Sequence, residues 1–255
     1  VLELFEHVPD GALYGDGIGM FLLQLPGAFQ PRHRKIYDTH LARERQTVLG
    51  LVDDFQRNRI AIFGALTRLR QLSLDPALVD EEHERVGSAK LDVLVDHLVE
   101  LAAEGHRALV FSQFTSFLDR VRARLDRQGI TYAYLDGKTR NRPAVIEAFK
   151  QGDDPVFLIS LKAGGVGLTL TEADYVFVLD PWWNPAVEAQ AVDRAHRIGQ
   201  DKPVMVYRLV ASNTIEEKVM ELKGRKAALF AQVVDGDGAM ASELSADDVR
   251  ALFDD

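Results

Sequence analysis

The sequence predicts an α/β domain, a parallel sheet flanked by helices, preceded by a helical extension. Two observations carry this. After Lys90, short apolar runs alternate with amphipathic stretches of helical period, the pattern of strands wrapped by crossover helices. Before that point, from Pro31 to about Leu74, the period is helical throughout.

Residues 1 to about 25 are Gly-rich, with turn signals at Asp10-Gly11 and Gly15-Asp-Gly17-Ile-Gly19. A short strand at Met20 to Leu25 follows, and the whole reads as a severed edge. Next, Tyr37, Leu41, Val48, Leu51 and Phe55 fit one helical face, and Ile62, Leu66 and Leu69 fit another, with Pro76 closing the run. A helical hairpin is implied. The charged stretch from Asp80 to Ser88 reads as a linker.

Strands are expected near Ala108 to Phe111, Thr131 to Leu135, Val156 to Ser160, Tyr175 to Leu179 and Val204 to Leu209. Helices fall between them, near 91 to 103, 115 to 127, 141 to 150 and 186 to 198. Thr214-Ile-Glu-Glu217 is a capping box opening a last long helix, in which Ile215, Val219, Leu222 and Leu229 share a face. The expected organisation is therefore a helical extension over 1–88, an α/β lobe over 89–230 and an acidic tail over 231–255. The tail reads as solvated disorder, with an interaction element as the alternative and a short helix expected after Ser245.

Composition narrows the function classes. The 255 residues contain no cysteine, so neither a disulfide framework nor a thiolate metal site is available. No apolar stretch reaches the ~20 residues that cross a bilayer, and Val1 to Asp10 is acidic where a signal peptide would be basic. A cytoplasmic protein is expected, nucleoid-associated if bacterial, with no membrane partner. The formal charge of -9 is unevenly spread. Residues 89 to 230 balance nineteen basic against nineteen acidic side chains, while the last 25 residues hold seven acids and only Arg250. Contact with a nucleic acid would need a local groove rather than whole-molecule attraction.

Some letter patterns mislead. Asp136-Gly137-Lys138-Thr139 ends like a phosphate loop, but the motif needs a glycine where Tyr132 stands, so it reads as a polar turn. Asp80-Glu-Glu-His83 mimics a magnesium-binding box but lacks a buried strand before it. Three other segments fall at consecutive strand ends, where open parallel sheets build sites. Ser160-Leu-Lys162-Ala-Gly164-Gly165-Val-Gly167-Leu-Thr169 lets backbone approach a phosphate or sugar closely. Asp180-Pro-Trp182-Trp183-Asn184-Pro185 sets two indoles in a loop, where one ring could stack on a base or sugar, with packing against the core as the competing reading. In Gln190-Ala-Val-Asp-Arg194-Ala-His196-Arg197-Ile-Gly-Gln200, helical spacing puts Gln190, Arg194 and Arg197 on one stripe and Val187, Ala191, Ala195 and Ile198 on an apolar one. The guanidinium forks suit an anion. A surface helix with salt bridges to Glu188 and Asp193 is the competing reading.

Together with Val110-Phe-Ser112-Gln113-Phe114 and Leu135-Asp-Gly137, these segments resemble, in order, the motifs of the second motor lobe of Swi/Snf-type helicase-like ATPases of superfamily 2. The resemblance covers about residues 88 to 230, and residues 20 to 80 are similar to the family's inter-lobe helical segment. It implies a RecA-like fold and an ATP-dependent motor that translocates on double-stranded DNA and remodels protein–DNA complexes. By position, Arg194 and Arg197 would be arginine fingers on the γ-phosphate of ATP, with Gln190 helping to order the same site. Gly165 and Gly167 would line the nucleotide cleft. Ser112, Gln113, Thr139, Lys162 and Thr169 would contact the DNA backbone, and Trp183 could wedge beside it.

No phosphate-cradling loop occurs in these 255 residues, so ATP and Mg²⁺ would be held mainly by an N-terminal motor lobe, the expected intramolecular partner. Alone, the chain is expected to hydrolyse almost no ATP. The last helix is expected to brace that lobe, leaving apolar residues exposed here. A DNA-bound protein would be a further partner. The alternatives are a non-catalytic DNA- or protein-binding module that has kept the fold, or the second lobe of an RNA-remodelling helicase.

Overall fold

A computed structural model describes residues 13–14, 18–25, 29–163, 169–180, 195, 202–233 and 244–253. Its strands are β1 (Leu13–Tyr14), β2 (Ile18–Leu25), β3 (Ala108–Ser112), β4 (Tyr132–Leu135), β5 (Val156–Ser160), β6 (Tyr175–Val178) and β7 (Val204–Ala211). The helices are α1 (Pro31–Leu51), α2 (Phe55–Leu74), α3 (Ala89–Ala103), α4 (Thr115–Gln128), α5 (Arg142–Gln151), α6 (Ile215–Val233) and α7 (Ala246–Phe253). No described helix is long and apolar enough to cross a membrane.

The described strands form one sheet in the order β1-β2-β7-β6-β3-β5-β4. The five strands from β7 to β4 run parallel, and β1 pairs antiparallel with β2. Every residue of β3 and β5 is buried, as expected of central strands covered on both faces. Leu109, Phe111, Phe157, Ile159, Val176 and Val206 pack on one face with Phe149 of α5 and with Ala195. Left-handed glycines stop two of the crossover helices: Gly105 (φ 78°) after α3 and Gly129 (φ 69°) after α4. In both cases the next N–H returns to the last turn, His106 to the Leu101 carbonyl and Ile130 to that of Leu125.

The chain divides into two compact units. The sheet unit contains the described residues of 1–25, 90–180 and 186–210. The helical unit contains those of 26–89 and 211–255. The break between Ala89 and Lys90 lies beside the boundary expected at 88, whereas no unit boundary falls at 230. β1 and β2 belong to the sheet rather than to the helical extension, and α6 belongs with α1 and α2.

Within the helical unit, α1 and α2 form the expected hairpin around a single 3-10 turn, Val52–Asp54. Buried His33 reaches the Leu72 carbonyl with Nε2 at 2.7 Å, and the Tyr37 hydroxyl accepts the Ile215 N–H at 2.7 Å. Those two bonds tie α1 to α2 and to the start of α6. Thr214 caps α6 through Oγ1 and the Glu216 N–H. The reciprocal bond of the box falls one residue early, from the N–H of Asn213 (φ 57°) to Glu217.

Two expectations are corrected here. The apolar face of α6 is not exposed in its first half: Ile215, Val219 and Leu222 are buried against Ile62, Leu66 and Leu69. Leu229 lies outside the described side chains. Nor is the C-terminal stretch a solvated tail throughout. Ser245 and Asp248 form a complete capping box, each side chain accepting the other's N–H, at 3.1 and 2.8 Å. The helix it opens buries Val249, Leu252 and Phe253 in the same core. Asp247 faces outward while Asp248 is buried in its cap, and a net-charge reading cannot see the apolar stripe beside them.

Candidate nucleic-acid and nucleotide-facing edge

Parallel pairing brings four strand ends level. Ser112 is in register with Ser160, Leu135 with Ile159, and Phe111 with Val178. The turns that follow β3, β4, β5 and β6 therefore leave the sheet at one carboxyl edge. The connection from β3 runs past β5 to β4, whereas that from β6 runs the other way, to β7. Neighbouring strands whose connections diverge open a crevice at their carboxyl ends, the usual ligand position of open α/β sheets.

Asp180 sits in that position, fully buried. Both of its carboxylate oxygens accept the backbone N–H of Gln113, at 3.1 and 3.0 Å. Ser112 is also fully buried, and its hydroxyl accepts the Phe114 N–H at 3.0 Å. Ser112 thus shapes the turn and offers no surface to a ligand, while half-buried Gln113 follows at the edge itself.

The turn after β4 is fastened by Asp136. Its carboxylate accepts the Lys138 N–H at 2.9 Å and the Thr139 hydroxyl at 3.0 Å, and its own N–H donates to Thr139 Oγ1. Against the upward push of burial, the hydrogen bonds from Lys138 and Thr139 hold Asp136 below the ordinary carboxylate range. Thr139 is accordingly half-buried and occupied inside the turn. Lys138 and Arg140 stand exposed on either side of it, and Arg142 reaches across to the Ala163 carbonyl. The polar turn inferred for Asp136–Thr139 is what forms, with no phosphate cradle.

Lys162, in the turn after β5, is exposed at the same edge. Thr169 is half-buried in the connection between β5 and β6, beside the buried Leu170. Gln113, Thr139 and Lys162 are therefore gathered with Ser112 along one edge. Gly165, Gly167, Trp183, Gln190, Arg194 and Arg197 lie outside the described residues. Between the arginines, Ala195 is helical and wholly buried in the core of the sheet unit.

Sequence reasoning missed two features. Lys138, Arg140 and Arg142, basic at alternate positions shortly after β4, are one, a signal that the incomplete phosphate-loop pattern obscures. The other is buried Lys90, whose Nζ donates to the carbonyls of Leu179 at 2.8 Å and Leu209 at 3.0 Å. It fixes the carboxyl ends of β6 and β7, and a lone lysine beside a linker gives no sequence sign of this. Among the described residues, no cluster of His, Cys, Asp or Glu is arranged to hold a metal.

Comparison with known proteins accords with this arrangement. Residues 89–199 match the model of the helicase conserved C-terminal domain. The ATP-dependent helicase rhp16 of Schizosaccharomyces pombe is 45% identical over 171 residues, 65% of this chain and 20% of that protein. The SWI2/SNF2 ATPase core domain of Sulfolobus solfataricus superposes with a TM-score of 0.70 at 25% identity, over 92% of this chain and 48% of the other. The same core in complex with double-stranded DNA gives 0.67, again at 25% identity, over 91% and 49%. The chain spans about a fifth of rhp16 and about half of each archaeal core. Residues 89–199 thus belong to the helicase conserved C-terminal domain family in a RecA-like fold, and the chain is similar to the C-terminal lobe of Swi/Snf-type helicase-like ATPases.

Proposed function

We propose that the chain acts as the second lobe of a DNA-dependent ATPase that translocates on double-stranded DNA and remodels protein–DNA complexes. The observation that carries this reading is the carboxyl edge, where Gln113, Lys138, Arg140 and Lys162 come from three parallel strand ends. Exposed cations spaced along one edge suit successive phosphates. Contacts of that kind give affinity and register with little sequence preference. Ser112 and Thr139 hold the turns, while Thr169 and Trp183 complete the contact surface. The archaeal core bound to double-stranded DNA supports the same choice of partner.

ATP with Mg²⁺ is the cofactor in this reading, held mainly by an N-terminal motor lobe that carries the phosphate loop. Gln190, Arg194 and Arg197 act on it from this lobe, with Gly165 and Gly167 at the cleft. The buried, helical Ala195 supports the apolar stripe, from which helical spacing offsets both arginines. Arginine fingers stabilise charge developing on a transferred phosphoryl group and can contribute ~10³-fold or more in rate. They act only on a phosphate that something else holds, so the chain alone is inactive.

The test is ATP hydrolysis with duplex DNA by this chain, by a mixture with its N-terminal motor lobe, and by the mixture carrying Arg197→Ala. Turnover only on mixing, abolished by the substitution, is the expected result. Robust turnover by the chain alone overturns the reading.

A further inference from the structure

A second concave site lies in the sheet unit, toward the amino ends of β6 and β7 and away from the carboxyl edge. It is a cavity of about 210 Å³ bordered by Tyr175, Phe177 and Tyr207 from the strands, by His97 and Glu100 from α3 and by Glu104 in the turn just after it. Phe177 and Tyr207 are register partners, which sets their rings side by side on one face.

The rings share one orientation. Tyr175 and Tyr207 are parallel within 1° at 6.2 Å, and Phe177 lies 5.4 Å from Tyr207 at 18°. His97 is within 24° of Phe177. The walls are pinned from behind: Phe21 of β2 stacks on Tyr207 at 5.2 Å, and the His106 ring meets Tyr175 edge-on at 5.0 Å. Little ordering is left for a ligand to impose.

Charge distinguishes this cavity from an ordinary apolar cleft. Glu100 and Glu104, one helical turn apart, are exposed at its rim. Burial, together with the carboxylates of Asp174 and Glu104, pushes the Tyr175 phenol up, so the negative field reaches the ring wall. His97 is held by burial below its ordinary range and adds no positive charge at neutral pH. The neighbouring basic side chains turn mainly to Asp174: His106 Nδ1 lies 2.7 Å and Lys202 Nζ 3.4 Å from it, with His106 Nε2 a loose 3.9 Å from Glu104.

We propose that this cavity receives an arginine side chain of a partner protein. A guanidinium is planar, stacks parallel to aromatic faces and presents a fork of N–H donors to carboxylates. Parallel rings below two glutamates match that shape better than they match the compact, strongly hydrated ammonium of lysine. The carboxyl edge stays free, so the site can be filled while the lobe engages another ligand there.

The test titrates the chain with N-acetyl-arginine amide, N-acetyl-lysine amide and the uncharged isostere N-acetyl-citrulline amide. The readout is the NMR ring resonances of Tyr175 and Tyr207 in ¹³C-tyrosine-labelled protein. Saturable shifts with the arginine compound, about tenfold weaker with citrulline and weaker with lysine, are expected. Glu100→Gln with Glu104→Gln should weaken arginine binding about fivefold without changing the melting temperature, since both side chains are exposed. No saturable shift, an equal response to citrulline, or a lysine response as strong as arginine's overturns the proposal. None of these readouts involves ATP or DNA, so the result is independent of the motor reading.

Discussion

The backbone N–H of Gln113 donates to both carboxylate oxygens of Asp180. This contact joins the turn after β3 to the turn after β6, the two neighbouring strands whose connections diverge. A buried carboxylate used in this way fixes the relative height of two loops, and so the shape of the crevice between them.

Asp180→Ala should therefore lower stability and disorder the edge together. Losing a charge-assisted acceptor in a fully buried position costs about 1.5–3 kcal/mol. Urea unfolding of the chain measures the loss. Hydrogen exchange at Gln113 should quicken by more than global destabilisation explains. Unchanged exchange there would mean that the turn is held by its Ser112–Phe114 contact alone.

Lys90→Met keeps the length of the side chain but removes the donor shared by the Leu179 and Leu209 carbonyls. Two buried acceptors then lose their partner, for a cost of about 2–4 kcal/mol. The midpoint of urea unfolding should fall while its slope stays constant, because the surface exposed on unfolding is the same. A midpoint within error of the parent chain would show that water replaces the ammonium at no cost.

Much of this architecture is legible in the sequence because the period of the apolar residues carries it. Val156 to Ser160 reads as a strand and is one, since five consecutive buried residues admit no other partner than a covered sheet. In the tail the short helix after Ser245 is legible, but its burial is not, for the converse reason. Val249, Leu252 and Phe253 form the apolar stripe of an eight-residue helix set in an acid-rich stretch, and its burial depends on a core assembled from α1, α2 and α6. The site is legible unevenly. Strand-end positions such as Gln113 and Lys162 follow from topology, whereas the burial of Ser112 depends on how its hydroxyl folds back onto the Phe114 N–H, which no spacing rule encodes.

If the carboxyl edge meets DNA phosphates, Lys138→Ala, Arg140→Ala and Lys162→Ala should each weaken duplex binding a few-fold, equally for unrelated sequences. Each should also reduce the slope of log affinity against log salt by about 0.9, the share of one phosphate contact. Fluorescence anisotropy across a salt series gives both numbers. Lower affinity with an unchanged slope would place the phosphate contacts elsewhere.

Stability should decline on mild acidification, and His33 sets part of that decline. Burial holds its folded-state pKa below the ordinary 6.5, opposed by the bond to the Leu72 carbonyl. The unfolded chain then binds a proton that the folded chain resists, so stability rises with pH in this range and is lost as pH falls below about 6.5. His97, shifted downward by burial in the same way, acts in the same direction. One such group can add at most about 1.4 kcal/mol per pH unit to the slope. Asp174 and Glu44, both held low, lose their contributions only below about 4.5, outside this window. Chemical unfolding between pH 7.5 and 5.5 should show the decline, and His33→Gln, which can still donate to Leu72 but does not titrate there, should flatten it while retaining the share due to His97. An identical slope in the variant would mean that His33 takes up its proton as readily in the folded chain as in the unfolded one.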